Sequence, residues 1–119
     1  MTSHDFRSRC SIARTLEIVG DKWTLLVVRD LLWHGKHTFQ ELQGSEERMA
    51  SNLLSERLKR LMDWGLVERA AYQENPVRYR YALTEQGRAL EPVLKQIMIW
   101  GHDHLGGGFY EPPEGDAAR

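Results

Sequence analysis

The sequence predicts a mostly helical α+β domain, with four helices, a two-stranded hairpin and one last long helix. Three observations predict it. Apolar residues recur at helical spacing up to about residue 64, two short alternating runs at 67–72 and 78–83 bracket a turn-forming stretch, and a second helical pattern runs on to about residue 104. The 119 residues suffice for one domain, and a 41% apolar content with four Trp, four Tyr and three Phe supplies a core.

The elements follow in order. Ile12, Leu16 and Val19 predict a helix over Ser11–Val19, ended by Gly20. Asp21 caps a strongly apolar helix over 22–33, whose all-round apolar surface marks it as central and buried. After the turn His34-Gly35-Lys36, the run Thr38-Phe39-Gln40-Glu41 reads as a capping box opening a short third helix through Leu42. A fourth helix covers about 50–64, with Leu53, Leu54, Leu58 and Leu61 on one stripe and Gly65 as its left-handed stop. In the second extended run Tyr79, Tyr81 and Leu83 alternate with Arg78, Arg80 and Ala82, a strand period with arginines outward. Thr84 caps the last helix, 85–104, and Pro92 within it predicts a kink. The domain is expected to span 1–105, and the glycines at 106–108 and Pro112-Pro113 leave 106–119 as a tail expected to be disordered.

Composition excludes several classes of function. No apolar run approaches the ~18 residues of a membrane span. Residues 1–7 lack the apolar region of a secretory signal, so a cytoplasmic protein is expected, with no membrane partner. The single cysteine, Cys10, excludes an intrachain disulfide and a Cys-rich zinc site. His102 and His104 have no carboxylate or cysteine cluster beside them, so no metal is expected. No cofactor motif, triad spacing or phosphate loop stands out, which argues against an enzyme. The net charge is only −1, but residues 48–80 carry seven basic against four acidic residues. A basic middle in a near-neutral chain fits a polyanion-binding face, and equally fits random variation along a surface.

Two helices joined by a short turn, the second followed directly by a hairpin, make the winged helix-turn-helix arrangement. The motifs Cys10-Ser11-Ile12, Gly20-Asp21-Lys22-Trp23-Thr24, Thr38-Phe39-Gln40-Glu41-Leu42, Leu54-Ser55-Glu56-Arg57-Leu58, Gly65-Leu66-Val67-Glu68-Arg69 and Leu83-Thr84-Glu85-Gln86-Gly87 occur in that order. Together, from about residue 10 to 101, the chain resembles the HxlR family of winged-helix transcriptional regulators, relatives of the MarR group. The resemblance implies a homodimer on operator DNA, held by the first and last helices. Two residues depart from the family's pattern: Ser11 stands where Pro is frequent, and Ala50 where Ser or Thr is frequent. Ala cannot cap, which leaves Ser51 to do so.

On the fourth helix, Ser51, Asn52, Ser55, Glu56, Lys59 and Arg60 lie on or beside the polar side and are the candidate recognition residues, with Asp63 near its far end. Asn bonds adenine bidentately, Ser serves either partner, and Lys59 and Arg60 suit phosphate or guanine. Arg57 falls on the apolar side and is given a structural role first, with its stem packing and its head reaching a groove edge. In the hairpin, Arg78 and Arg80, with Arg69 on the facing strand, are expected against phosphates or in the minor groove. Lys36 and Thr38 are weaker candidates for a phosphate at the third helix start.

Ile12 and Leu16 in the first helix, and Leu90, Leu94, Ile97, Met98 and Trp100 in the last, are the expected dimer residues. The last helix carries more apolar surface than one small domain can bury, although it could fold back as monomer core. For Cys10 two readings stand. Arg9 and Arg14 would favour a thiolate, and some members of the family sense oxidants or electrophiles at this position, which would make an oxidant or small molecule the effector. Otherwise it is a small buried hydrophobe. The expected function is thus sequence-specific regulation of transcription on a palindromic operator. The alternative is a winged-helix protein-interaction module that does not touch DNA, supported by Glu56 and Asp63 in the reading helix.

Overall fold

The computed structural model describes residues 5–108. Among them the order is α1 (Ser11–Val19), α2 (Thr24–Trp33), α3 (Phe39–Gln43), α4 (Ser51–Asp63), β1 (Val67–Glu74), β2 (Val77–Leu83), α5 (Glu85–Arg88) and α6 (Glu91–Leu105). Of the expected tail, 109–119 lie outside the described residues. No described helix is long and apolar enough to cross a membrane.

Val28 of α2 and Leu54, Leu58 and Leu61 of α4 are at most 1% exposed, so these two helices form the centre of the core. Val67, Tyr81 and Leu83 from the base of the hairpin, and Leu94 from α6, close it. Helix α4 ends as its sequence dictates. Gly65 adopts φ +78°, and the amides of Gly65 and Leu66 donate to the carbonyls of Met62 and Leu61, which satisfies two orphan acceptors. The capping box forms too: the Glu41 amide donates to Thr38 Oγ1, and the Thr38 amide donates to Glu41 Oε1.

Helix α2 begins later than expected, at Thr24. Asp21 nevertheless caps it, because Oδ1 accepts from the Trp23 and Thr24 amides at 2.8 and 2.9 Å. The antiparallel wing is longer than expected, running to a two-residue link at Asn75-Pro76. Its register pairs Val67 with Leu83, Arg69 with Tyr81 and Ala70 with Arg80, and a bulge at Tyr72 shifts the pairing beyond Ala71. The Tyr81 amide donates to the His37 carbonyl at 2.7 Å, which ties the wing to the start of α3.

The single kinked helix expected over 85–104 is instead two helices. Pro92 falls in the first turn of α6, where its missing N–H would be unpaired in any case, so it starts a helix and kinks none. Thr84 caps α5 by accepting from the Gly87 amide. A Cβ at Gly87 would lie 2.2 Å from the Leu66 carbonyl oxygen, so only glycine lets α5 settle against the turn after α4.

Candidate nucleic-acid interface

Burying Leu54, Leu58 and Leu61 turns the opposite side of α4 to solvent, and Ser51, Asn52, Ser55, Glu56, Lys59 and Asp63 are all exposed or half-buried there. Ser51 does not cap. A cap residue needs extended backbone, and it is Ala50, at φ −63° and ψ 149°, that has it, while Ser51 is already helical. The helix therefore presents its first amides without a side-chain partner, beside two small hydroxyls and one amide side chain.

Arg60 is placed differently from the expectation. Its Nη1 donates to Asp21 Oδ2 at 3.1 Å, with Glu56 at 3.6 Å, so the guanidinium is turned back on the protein. Arg57 packs as expected, with its side chain 14% exposed, but its head does not reach outward to a groove edge: it donates to Asp21 Oδ1 at 3.2 Å and to Glu56. Burial pushes the Asp21 carboxyl up. The Thr24 hydroxyl, the Trp23 and Thr24 amides and Arg57 outweigh that and hold it well below the usual carboxylate range. Lys59 reaches Asp63 at 3.4 Å, an exposed pair of little strength.

In the wing, Arg78 and Arg80 are exposed. Arg69 is not beside them: its pairing with Tyr81 puts it on the other face, where its guanidinium lies 3.8 Å from the Tyr79 ring centre. Arg80 lies 5.1 Å from the centre of the Tyr72 ring. Neither tyrosine stands out in the sequence as a partner for arginine, and the signal available is their interleaving with arginines in one hairpin.

Lys36 and Thr38 already have partners within the protein. Lys36 Nζ donates to Ser45 Oγ at 2.8 Å, and the Thr38 hydroxyl serves the capping box. Ser45 in turn donates to Asp30, which also accepts from Arg29 and contacts His34. Arg29 forms a bidentate pair with Glu47 at 2.9 Å. Burial pulls the Arg29 pKa down, but Glu47 and Asp30 raise it above its ordinary value, and the Arg29 hydrogen bonds hold Glu47 low. This largely buried cluster fixes the loop that carries Arg48, at φ +59°, into α4. Sequence periodicity gives no sign of it.

Of the expected dimer residues, Ile12, Leu16, Ile97 and Trp100 are exposed by 71, 53, 51 and 59%. Leu90 and Met98 are half-buried. Leu94, at 7%, belongs to the chain's own core, because it faces α2 on the inner side of α6. An apolar groove of about 340 Å³ runs between α2 and α6, with Arg29 and Glu47 among the residues lining it. Cys10 is exposed in the single chain, so nothing among the described residues of this chain buries it. Arg14 gives its Nε to the Ser8 carbonyl at 2.7 Å and lies over Phe6, whose ring stacks on Trp64.

Comparison with known proteins agrees with this geometry. Residues 18–108 match the model of the HxlR-like helix-turn-helix family. The HTH-type transcriptional regulator MT3179 of Mycobacterium tuberculosis (strain CDC 1551 / Oshkosh) is 38% identical over 103 residues, 87% of this chain and 63% of the relative, so the chain spans less than two thirds of that protein. The crystal structure of PA1607 superposes with a TM-score of 0.73 at 36% identity, covering 90% of this chain and 70% of that one. The redox regulator HypR in its oxidised form superposes at 0.68 with 32% identity, covering 80% and 97%.

Proposed function

The chain belongs to the HxlR-like helix-turn-helix family, and we propose that it is a transcriptional regulator that binds operator DNA as a homodimer. The observation that carries this reading is the polar outer side of α4, with Ser51, Asn52, Ser55 and Lys59, standing on the same body as a wing that presents Arg78 and Arg80. Such a helix fits the major groove and such a ribbon the neighbouring backbone or minor groove. Ile12 and Leu16 on α1 with Ile97 and Trp100 on α6 offer the apolar surface for a second copy. Two-fold symmetry would set the reading helices about one DNA turn, roughly 34 Å, apart on a palindromic operator.

The exposed Cys10 and the similarity to HypR, a redox regulator, support an oxidant or electrophile as the signal. The thiol stands at the N-cap of α1, where modification would disturb a helix of the proposed interface.

Fluorescence anisotropy with random and selected duplexes across a salt series tests the reading. Asn52→Ala is expected to erode discrimination between sequences by roughly 1–3 kcal/mol. Arg80→Ala should weaken all sequences alike and flatten the salt slope by about 0.9 for each phosphate that is no longer neutralised. Equal loss of discrimination from both variants would defeat this division. Absence of any salt-dependent binding would favour a protein-interaction module.

A further inference from the structure

We propose that Asp21 is a positioning residue that withholds Arg57 and Arg60 of α4 from the DNA backbone, and so lowers affinity for arbitrary sequence in favour of discrimination. This rests on the DNA-binding reading above. The Asp21 carboxylate receives five hydrogen bonds: from the Trp23 amide at 2.8 Å, the Thr24 amide at 2.9 Å, the Thr24 hydroxyl at 2.6 Å, Arg57 Nε at 3.2 Å and Arg60 Nη1 at 3.1 Å. The first three fix it at the start of α2, which is itself built into the core.

That anchoring decides the competition. A carboxylate on a free surface side chain holds an arginine weakly and would lose it to a polyanion. One already immobilised as a helix cap loses little further entropy on pairing, and its two oxygens accept from both guanidiniums. Glu56, one turn from Arg60 and next to Arg57, completes a set of two acids and two bases with no net charge. The reading helix therefore meets the duplex with neutral Ser51, Asn52 and Ser55, and with Lys59 as its outward cation. Phosphate attraction, which is blind to sequence, is left to the wing.

Asp21→Asn in the full chain separates this role from capping, because asparagine still accepts from the two backbone amides but carries no charge. A thermal melt checks that the variant folds. Binding of a random-sequence duplex and of a duplex selected by the protein from a library is then measured between 50 and 200 mM KCl. The variant should bind random DNA more tightly and prefer the selected duplex less. Its ratio of Kd across that salt range should grow by roughly threefold for each arginine that gains a phosphate. Adding Arg60→Gln to Asp21→Asn should reverse part of that gain. Arg60→Gln alone, which stays informative if Asp21→Asn does not fold, should leave the salt dependence of the native protein unchanged. A folded Asp21→Asn with native salt dependence and preference would overturn the inference, as would a flattened slope from Arg60→Gln alone. A native protein that binds no duplex would remove the parent reading and this inference with it, and would show before any variant is made.

Discussion

In α4, Arg57 and Arg60 meet the Asp21 carboxylate and Lys59 leans on Asp63. In the wing, by contrast, Arg80 lies over Tyr72 and Arg69 over Tyr79, and none of the ion pairs among the described residues involves Arg69, Arg78 or Arg80. A tyrosine face steers a guanidinium, worth about 0.5–1 kcal/mol at an exposed site, without cancelling its charge. The two regions differ in packing as well. Helix α4 buries three leucines in the centre of the core, whereas β1 is exposed through most of its length. The charges of the element fixed in the core are largely balanced within the protein, while the arginines of the ribbon, whose base alone joins the core, keep theirs unpaired by acids among the described residues.

The largest effect that would sharpen this contrast is on stability. Leu58→Ala should cost about 2–5 kcal/mol in urea unfolding, because it empties a site 1% exposed. Val77→Ala at the wing tip, 48% exposed, should change stability by less than about 0.5 kcal/mol. Equal losses would mean that the tip of the wing, and not only its base, is part of the core. A smaller effect than that of Leu58 is expected where the wing joins α3. Thr38→Ala removes the hydroxyl of the capping box and should cost about 1 kcal/mol by the same measurement.

The smallest effect over the accessible range is that of pH. Asp21 and Glu47 are held below their ordinary values in the fold. Their contribution is therefore complete above the unfolded carboxylate values of about 4 and lost as pH falls toward the folded ones. Tm should be level from pH 7 to about 5 and drop only below about 4. A fall that began near pH 6 would point to histidines instead.

Much of this is legible in local pattern. The bounds of α1, the capping box of α3 and the left-handed Gly65 depend on neighbours within a turn, and periodicity reads them directly. The outward side of α4 is equally plain, since three leucines at helical spacing can face only one way. What the sequence hides is tertiary. Arg60 meets Asp21 across 39 positions, and no helical projection can show that an apparently outward guanidinium is folded back. The face of Arg69 depends on strand register, which follows from where the turn falls, and the turn is two residues long. Pro92 looks interior in the sequence because the apolar pattern crosses the break at Ala89 and Leu90 without interruption.

The fit of Gly87 against the Leu66 carbonyl sets how closely α5, and with it the start of α6, sits on the turn after α4. If α6 is the arm by which one copy grips another, then α5 is its shoulder, and the bare α-carbon at 87 is the shim beneath it. An added methyl there would meet backbone at 2.2 Å, so either the shoulder or the turn beneath it would have to move.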